Sequence, residues 1–160
     1  MNTALKEFDS MAALAKHLVS LEVKRLVVMH SAMDHAAQVV EKTAKDKIGT
    51  YQPEVGQFAA WAPLADATVA DRIAQGYSPD EPLLRSGALR DSIKHEAGFT
   101  EAIIGSTSPI ALYQELGTSK IPPRPFLGPA AIENAHKVEK IFGLALVGMF
   151  YGSEPIWSEL

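Results

Sequence analysis

The stretch Tyr113–Pro129, Tyr-Gln-Glu-Leu-Gly-Thr-Ser-Lys-Ile-Pro-Pro-Arg-Pro-Phe-Leu-Gly-Pro, constrains this chain more than any other, because four prolines fall within Pro122–Pro129. Proline fixes φ and removes a backbone donor, so Ile121–Pro125 can be neither helix interior nor central strand. Just upstream, Thr107 or Ser108 can cap a short helix, Pro109 suits its first position, and Gly117 suits the left-handed position after its last turn. The pattern therefore predicts a helix over Pro109–Leu116, a stiff extended loop, and a last helix opening at Pro129. Phe126 and Leu127 are apolar residues held on the rigid segment. The loop is built to place something.

The rest of the chain sets bounds on what that can be. Its 160 residues suit one domain, over 1–152, with a short tail at 153–160. A net charge of −4 offers no strong field for nucleic acid or an anionic membrane. The absence of cysteine excludes disulfides and thiolate metal sites. The N-terminus carries acids and lacks the apolar core of a secretory signal. The longest apolar run, Ile141–Tyr151, is far shorter than the ~20 residues of a bilayer crossing. These features lead us to expect a soluble protein made in the cytoplasm, with no membrane partner.

Taken in order, Met11, Leu14, Leu18 and Leu21 repeat at helix spacing, and Asp9 or Ser10 can cap, which predicts a helix over Ser10–Ser20. A second, longer helix is expected from about Glu22 to Lys47, with Leu26, Met29, Met33, Ala36, Ala37, Val40 and Ala44 as its stripe and Gly49 as its stop. From Thr50 to Pro82 no period is sustained. This reads as an irregular arm at about 50–82, with a brief helix at Thr68–Gln75 and a turn cluster over Gly76–Pro82. An arm of that length in a small domain tends to be functional or ordered by a partner. Leu89, Ile93, His95 and Ala97 predict a strand that turns at Gly98, and Ala102–Gly105 answers it as the second strand of a hairpin. The last helix runs to about Phe150. Ile132, Ala135, Val138, Phe142, Ala145 and Met149 form one face; Ile141, Leu144 and Val147 widen it until its second half is apolar nearly all round. That surplus is expected to meet another subunit. The tail from Gly152 to Leu160 is expected to be held by a partner through Ile156 and Trp157. The fold class is α+β: long N-terminal helices, irregular arm, small antiparallel sheet, short helix, proline-rich loop, long C-terminal helix.

Signals for chemistry are weak. His30, Asp34 and His35 could share part of a helix face, but no further ligand lies nearby, and a solvated polar face is the simpler reading. Ser86 lacks the glycine context of a nucleophile elbow. Gly105-Ser106-Thr107-Ser108 is neither a phosphate loop nor a dinucleotide fingerprint. Glu96 and Glu101 read as charges on the exposed side of a hairpin. His95 and His136 stand alone and read as packing or surface residues. Lys42, Lys45 and Lys47 are diluted by Glu41 and Asp46, with no interleaved aromatic for a nucleic acid. We expect no enzyme activity, no cofactor and no metal. For Leu89 and Tyr113 a core position is favoured. Trp61 on the arm and Phe126 on the proline loop are the candidates for an intermolecular contact, since exposed aromatics anchor interfaces.

Three elements in register carry a resemblance. The first is Trp61-Ala-Pro-Leu64 with Thr68. The second is Leu83 or Leu84 followed by Ser86-Gly87-Ala88-Leu89-Arg90-Asp91-Ser92-Ile93. The third is Tyr113 with Gly117-Thr118, then Pro122-Pro123-Arg124-Pro125-Phe126-Leu127 and a terminal helix. In these the chain resembles the neck and tail-completion proteins of tailed bacteriophages, including the Mu-type phage virion morphogenesis proteins and the related lambdoid head–tail connector-like proteins. The match covers most of the chain from Trp61 to about Gly143. Leu116 stands where the family often has a bulkier aromatic, and the first helix is extra.

The resemblance implies a structural virion protein at the head–tail junction, made in the host cytoplasm and placed at the neck or tail top. It implies a homo-oligomeric ring, sixfold in the usual arrangement, that completes the tail and joins it to the head. Its partners would be neighbouring head–tail connector and tail proteins, with DNA only as passing cargo in the channel. The alternative is a small oligomeric protein-binding adaptor without a virion role. The partner-contact candidates are Trp61, Leu64, Arg85, Arg90, Arg124, Phe126, Leu127, Phe150 and Trp157.

Overall fold

The computed structural model describes residues 8–151, without the side chains of residues 150 and 151. The expected contacts of Phe150, Ile156 and Trp157 therefore fall outside the described side chains. The first element, α1, is one helix over Met11–Asp46, not two. Ser10 caps it, its Oγ accepting from the Ala13 backbone N–H at 3.1 Å. The expected break near residue 21 does not occur because no glycine or proline interrupts the run. Ser20, the one polar residue that could divert the backbone there, donates its hydroxyl to the His17 carbonyl at 2.6 Å and stays within the helix. At 1.5 Å per residue the 36-residue rod is about 54 Å long.

The last helix, α5 (Leu127–Tyr151), lies antiparallel against α1. Its start packs near the end of α1, where Asn134 Nδ2 donates to Thr43 Oγ1 at 2.8 Å and Lys47 pairs with Glu133 at 2.7 Å. Its second half packs against the middle of α1, where Ala32 and Ala36 meet Ile141 and Ala145. Small residues on both sides let the helix axes approach closely.

Between them the chain wraps the far end of this pair. The arm holds one helix, α2 (Asp66–Ala74), which starts two residues before the expected Thr68 with Asp66 in its first turn. A helical turn, α3 (Ala88–Ser92), follows Gly87, and the strands are β1 (Ile93–Ala97) and β2 (Ala102–Ser106). Leu89 was expected in the strand and lies instead in α3. The Ser92 hydroxyl donates to the Leu89 carbonyl at 2.6 Å and closes that turn. The strands pair antiparallel, Ile93 opposite Ser106 and Ala97 opposite Ala102, with the turn closed by Gly98 N–H to Glu101 O at 2.7 Å. The hairpin lies on α1 through Ile93, His95 and Ile104. Helix α4 spans Pro109–Leu116 as read from its Pro109 start and Gly117 stop. The architecture is α+β, with a sheet of only two strands.

The main core sits where all these parts meet. Val40, Ala44 and Ile48 of α1 close on Trp61, Leu89, Ile93, Ala111, Phe126 and Ala130. Two expectations are overturned here. Phe126 is 0 % exposed and Trp61 6 % exposed, so both are core residues of their own subunit and not exposed anchors. The physical reason is that the rigid loop turns Phe126 inward beneath α5, and the arm folds back so that the Trp61 indole reaches that loop. Tyr113, expected in the core, is half exposed. Truncation of Phe126 to alanine is expected to lower the unfolding free energy by about 3–5 kcal/mol in a denaturant titration. Tyr113→Ala should change it by about 0.5 kcal/mol or less.

Candidate functional site

The proline loop is fixed from three sides. Helix α5 opens with Phe126-Leu127-Gly128-Pro129, which contains no serine, threonine, aspartate or asparagine to cap it. The cap comes from α4. The Glu115 carboxylate accepts from the backbone N–H groups of Phe126 at 2.8 Å, Leu127 at 3.1 Å and Gly128 at 2.9 Å. Pro129 has no N–H, and Ala130 N–H returns to the Phe126 carbonyl at 3.3 Å. Every amide donor of the first turn is thus accounted for, and a negative group faces the positive end of the helix dipole.

The second side is the arm. Arg124 is buried, with Nη2 donating to the carbonyls of Ala62 and Pro63 at 3.0 Å each and Nε donating to Ala62 O at 3.3 Å. Burial holds its pKa below the ordinary arginine value. The Trp61 indole N–H donates to the Pro125 carbonyl at 3.0 Å. The third side is α4 itself, whose Gln114 carbonyl accepts from Arg124 N–H at 2.6 Å. Two glycines permit this closeness. Gly117 has φ +74°, and a Cβ there would stand 2.9 Å from Pro123 N. A Cβ on Gly128 would stand 2.3 Å from the Phe58 ring, which packs on the helix start.

So Trp61, Arg124, Phe126 and Leu127 are brought together, as parts of the framework. The remaining candidates lie nearer the surface. Leu64 is half buried, its N–H donating to the Tyr51 hydroxyl at 3.1 Å. Arg85 is exposed, pairs with Asp71 and lies 5.1 Å above the Tyr77 ring. Arg90 is exposed and 3.6 Å from Asp91. Sequence reasoning missed Glu115 and Arg72. Arg72 is buried and donates to the carbonyls of Ser78, at 2.6 Å, and Leu84, which ties the turn cluster down around Leu83 at φ +63°. The available signals were an uncapped helix start for Glu115 and an arginine on the apolar side of a short helix for Arg72.

What this framework displays is apolar. Leu112, Tyr113 and Leu116 stand exposed on the outer side of α4, Leu116 at 71 %. A second apolar surface lies at the other end of the helix pair, where Leu18, Val19, Val23 and Val27 of α1 and Leu146 and Val147 of α5 are exposed. Among the described residues no group of three histidine, aspartate or glutamate side chains could hold a metal ion, and no helix is long and apolar enough to cross a membrane. Lys45 pairs with Glu41 and Lys47 with Glu133, so two of the three lysines near the end of α1 are joined to carboxylates.

A model of the phage virion morphogenesis family matches residues 9–146. The chain belongs to that family. Neither a curated protein nor a solved structure matches it. Membership gives this virion morphogenesis protein a structural or assembly role in a phage virion and makes it virion-associated. The family is one of structure and assembly, not of known enzymes.

His95 is not the lone residue expected. It joins the hairpin to α1, its Nδ1 bonded to Glu41 and its Nε2 3.2 Å from Asp34. Burial opposes charge on His95, but the bonds to Glu41 and Asp34 outweigh it and raise its pKa above the ordinary 6.5. Burial likewise opposes charge on Glu41, and the bonds to Lys45 and His95 outweigh it and lower its pKa below 4.5. The His95 contribution to stability is thus full below pH 6.5 and lost as pH rises through its raised value. The Glu41 contribution is full above pH 4.5 and lost as pH falls through its lowered value. His95→Gln is expected to lower the melting temperature most between these limits, with the gap to wild type closing as pH rises through the raised His95 pKa. A gap unchanged across that range would disprove the pairing.

Glu115→Ala leaves three first-turn donors without their acceptor. It is expected to cost about 1–3 kcal/mol by chemical denaturation.

Proposed function

We propose that this protein acts at the head–tail junction, as a neck or tail-completion component that assembles into a ring and joins tail to head. The observation that carries the reading is the pair of apolar surfaces at opposite ends of α5. One is on α4, fixed beside the start of α5 by Glu115; the other is formed by α1 and the second half of α5. A cyclic assembly needs a heterologous interface, with two different surfaces on each subunit. Exposed apolar patches on a small chain mark contacts with other proteins. Family membership supplies the virion context. A sixfold ring, contacting connector proteins on one side and tail proteins on the other, accords with this reading. The net charge of −4 is compatible with DNA passing through the channel without sticking.

Light scattering on the full chain, alone and mixed with the neighbouring tail proteins, tests assembly. Electron microscopy of virions carrying a labelled copy tests position. A ring-sized mass and a label at the tail top are the expected results. A chain that stays monomeric with every neighbour, or a label elsewhere on the particle, would overturn the reading. Leu116→Asp should abolish assembly while shifting stability by only about 0.5 kcal/mol, because Leu116 is 71 % exposed.

A further inference from the structure

A groove of about 610 Å³ opens between the arm, α4 and the proline loop. Leu64, Ile110 and Ile121 supply apolar wall. Four cationic side chains line it, Arg72, Arg85, Lys120 and Arg124, against one carboxylate, Asp71. Arg72 and Arg124 are buried with donors committed to backbone carbonyls, so their charge is fixed in place. Lys120 is exposed at the rim. Gln114 also lines the groove, and its buried Oε1 accepts no hydrogen bond within the described residues. Buried polar atoms in folded proteins are ordinarily paired. This groove is therefore apolar, cationic and short of one donor.

A segment of complementary chemistry lies in the same chain. Residues 153–160, Ser-Glu-Pro-Ile-Trp-Ser-Glu-Leu, carry Glu154 and Glu159 and no lysine or arginine. They also carry Ile156, Trp157 and Leu160, and Pro155 favours an extended backbone. The acidic groups match the cationic wall, the apolar side chains match Leu64, Ile110 and Ile121, and a backbone N–H matches Gln114 Oε1.

The segment cannot reach its own groove. Pro122 and Arg124 place the groove at the start of α5, and the segment follows its end. The 25 residues of α5 span about 37 Å. Even Leu160, nine residues beyond Tyr151, has a reach of at most ~32 Å when the chain is fully extended. We propose that the groove receives the 153–160 segment of a second copy of this chain. Donor and acceptor then sit at opposite ends of one helix, so each subunit gives a tail on one side and takes one on the other. Such a contact is heterologous and closes into a ring when its rotation allows. The inference rests on the ring reading above and gives that ring its joint.

The test uses full-length chains. A fluorescent peptide of residues 152–160 is titrated into the Ile156→Ala/Trp157→Ala chain, whose groove is intact. Saturable binding is expected, weakened about tenfold or more when Ile110→Glu and Lys120→Glu are added, both at exposed positions. Mixing the tail variant with a groove variant that keeps its tail should give one-to-one pairs and nothing larger, because one intact contact remains. No binding up to ~1 mM peptide, or equal binding to the groove variant, would overturn the exchange. Microscopy of labelled virions reads the junction position independently, so a failed exchange and a failed placement give different results.

Discussion

A single carboxylate organises the crowded end of this molecule. Glu115 gathers the three free amide donors of the first turn of α5, and a helix start so placed cannot swing away from α4. The residues around it follow from that constraint. With α4 and α5 joined, the prolines between them have only one short path. That path carries Phe126 under α5 and presents the Pro125 carbonyl to Trp61. Arg124 then has nowhere to point but into the arm, where the Ala62 and Pro63 carbonyls receive it. The arm is long and irregular in sequence yet fixed in space, because its polar backbone groups are answered by side chains from the loop and from α2.

This arrangement explains which parts could be read in advance. Helix α4 was legible to the residue, since a first-position proline and a terminating glycine are local signals, although Ser108 at its N-cap makes no side-chain capping bond. The hairpin turn at Gly98 and the long last helix were legible for the same reason. The continuity of α1 was harder, because only the lack of a glycine or proline near residue 21 speaks for it. The burial of Trp61 and Phe126 was not legible. An aromatic on a loop carries no mark of what covers it, and here the cover comes from 64 residues away. The same holds for Glu115 and Arg72, whose partners are backbone groups that any sequence would supply. Of the motif residues, Trp61, Arg124 and Phe126 hold the loop, and the exposed apolar side chains of α4 lie beside them.

The long helix pair works differently. Its seam of Ala32, Ala36, Ile141 and Ala145 is narrow and nearly free of polar contacts. The polar groups that fix register, Asn134 with Thr43 and Lys47 with Glu133, all lie near the start of α5. The hairpin adds one more tie through His95. Among the described residues the polar ties between the two helices are thus concentrated at one end of the subunit, and the seam toward the other end is apolar.

The unequal lengths of the two helices have a further consequence. Among the described residues Val28 is the first apolar α1 residue packed into the seam with α5, and residues 11–27 precede it as a continuous helix about 25 Å long. Leu18, Val19, Leu21, Val23, Leu26 and Val27 are exposed around much of its circumference. A rod with apolar groups over much of its circumference can bury area against neighbours on more than one side.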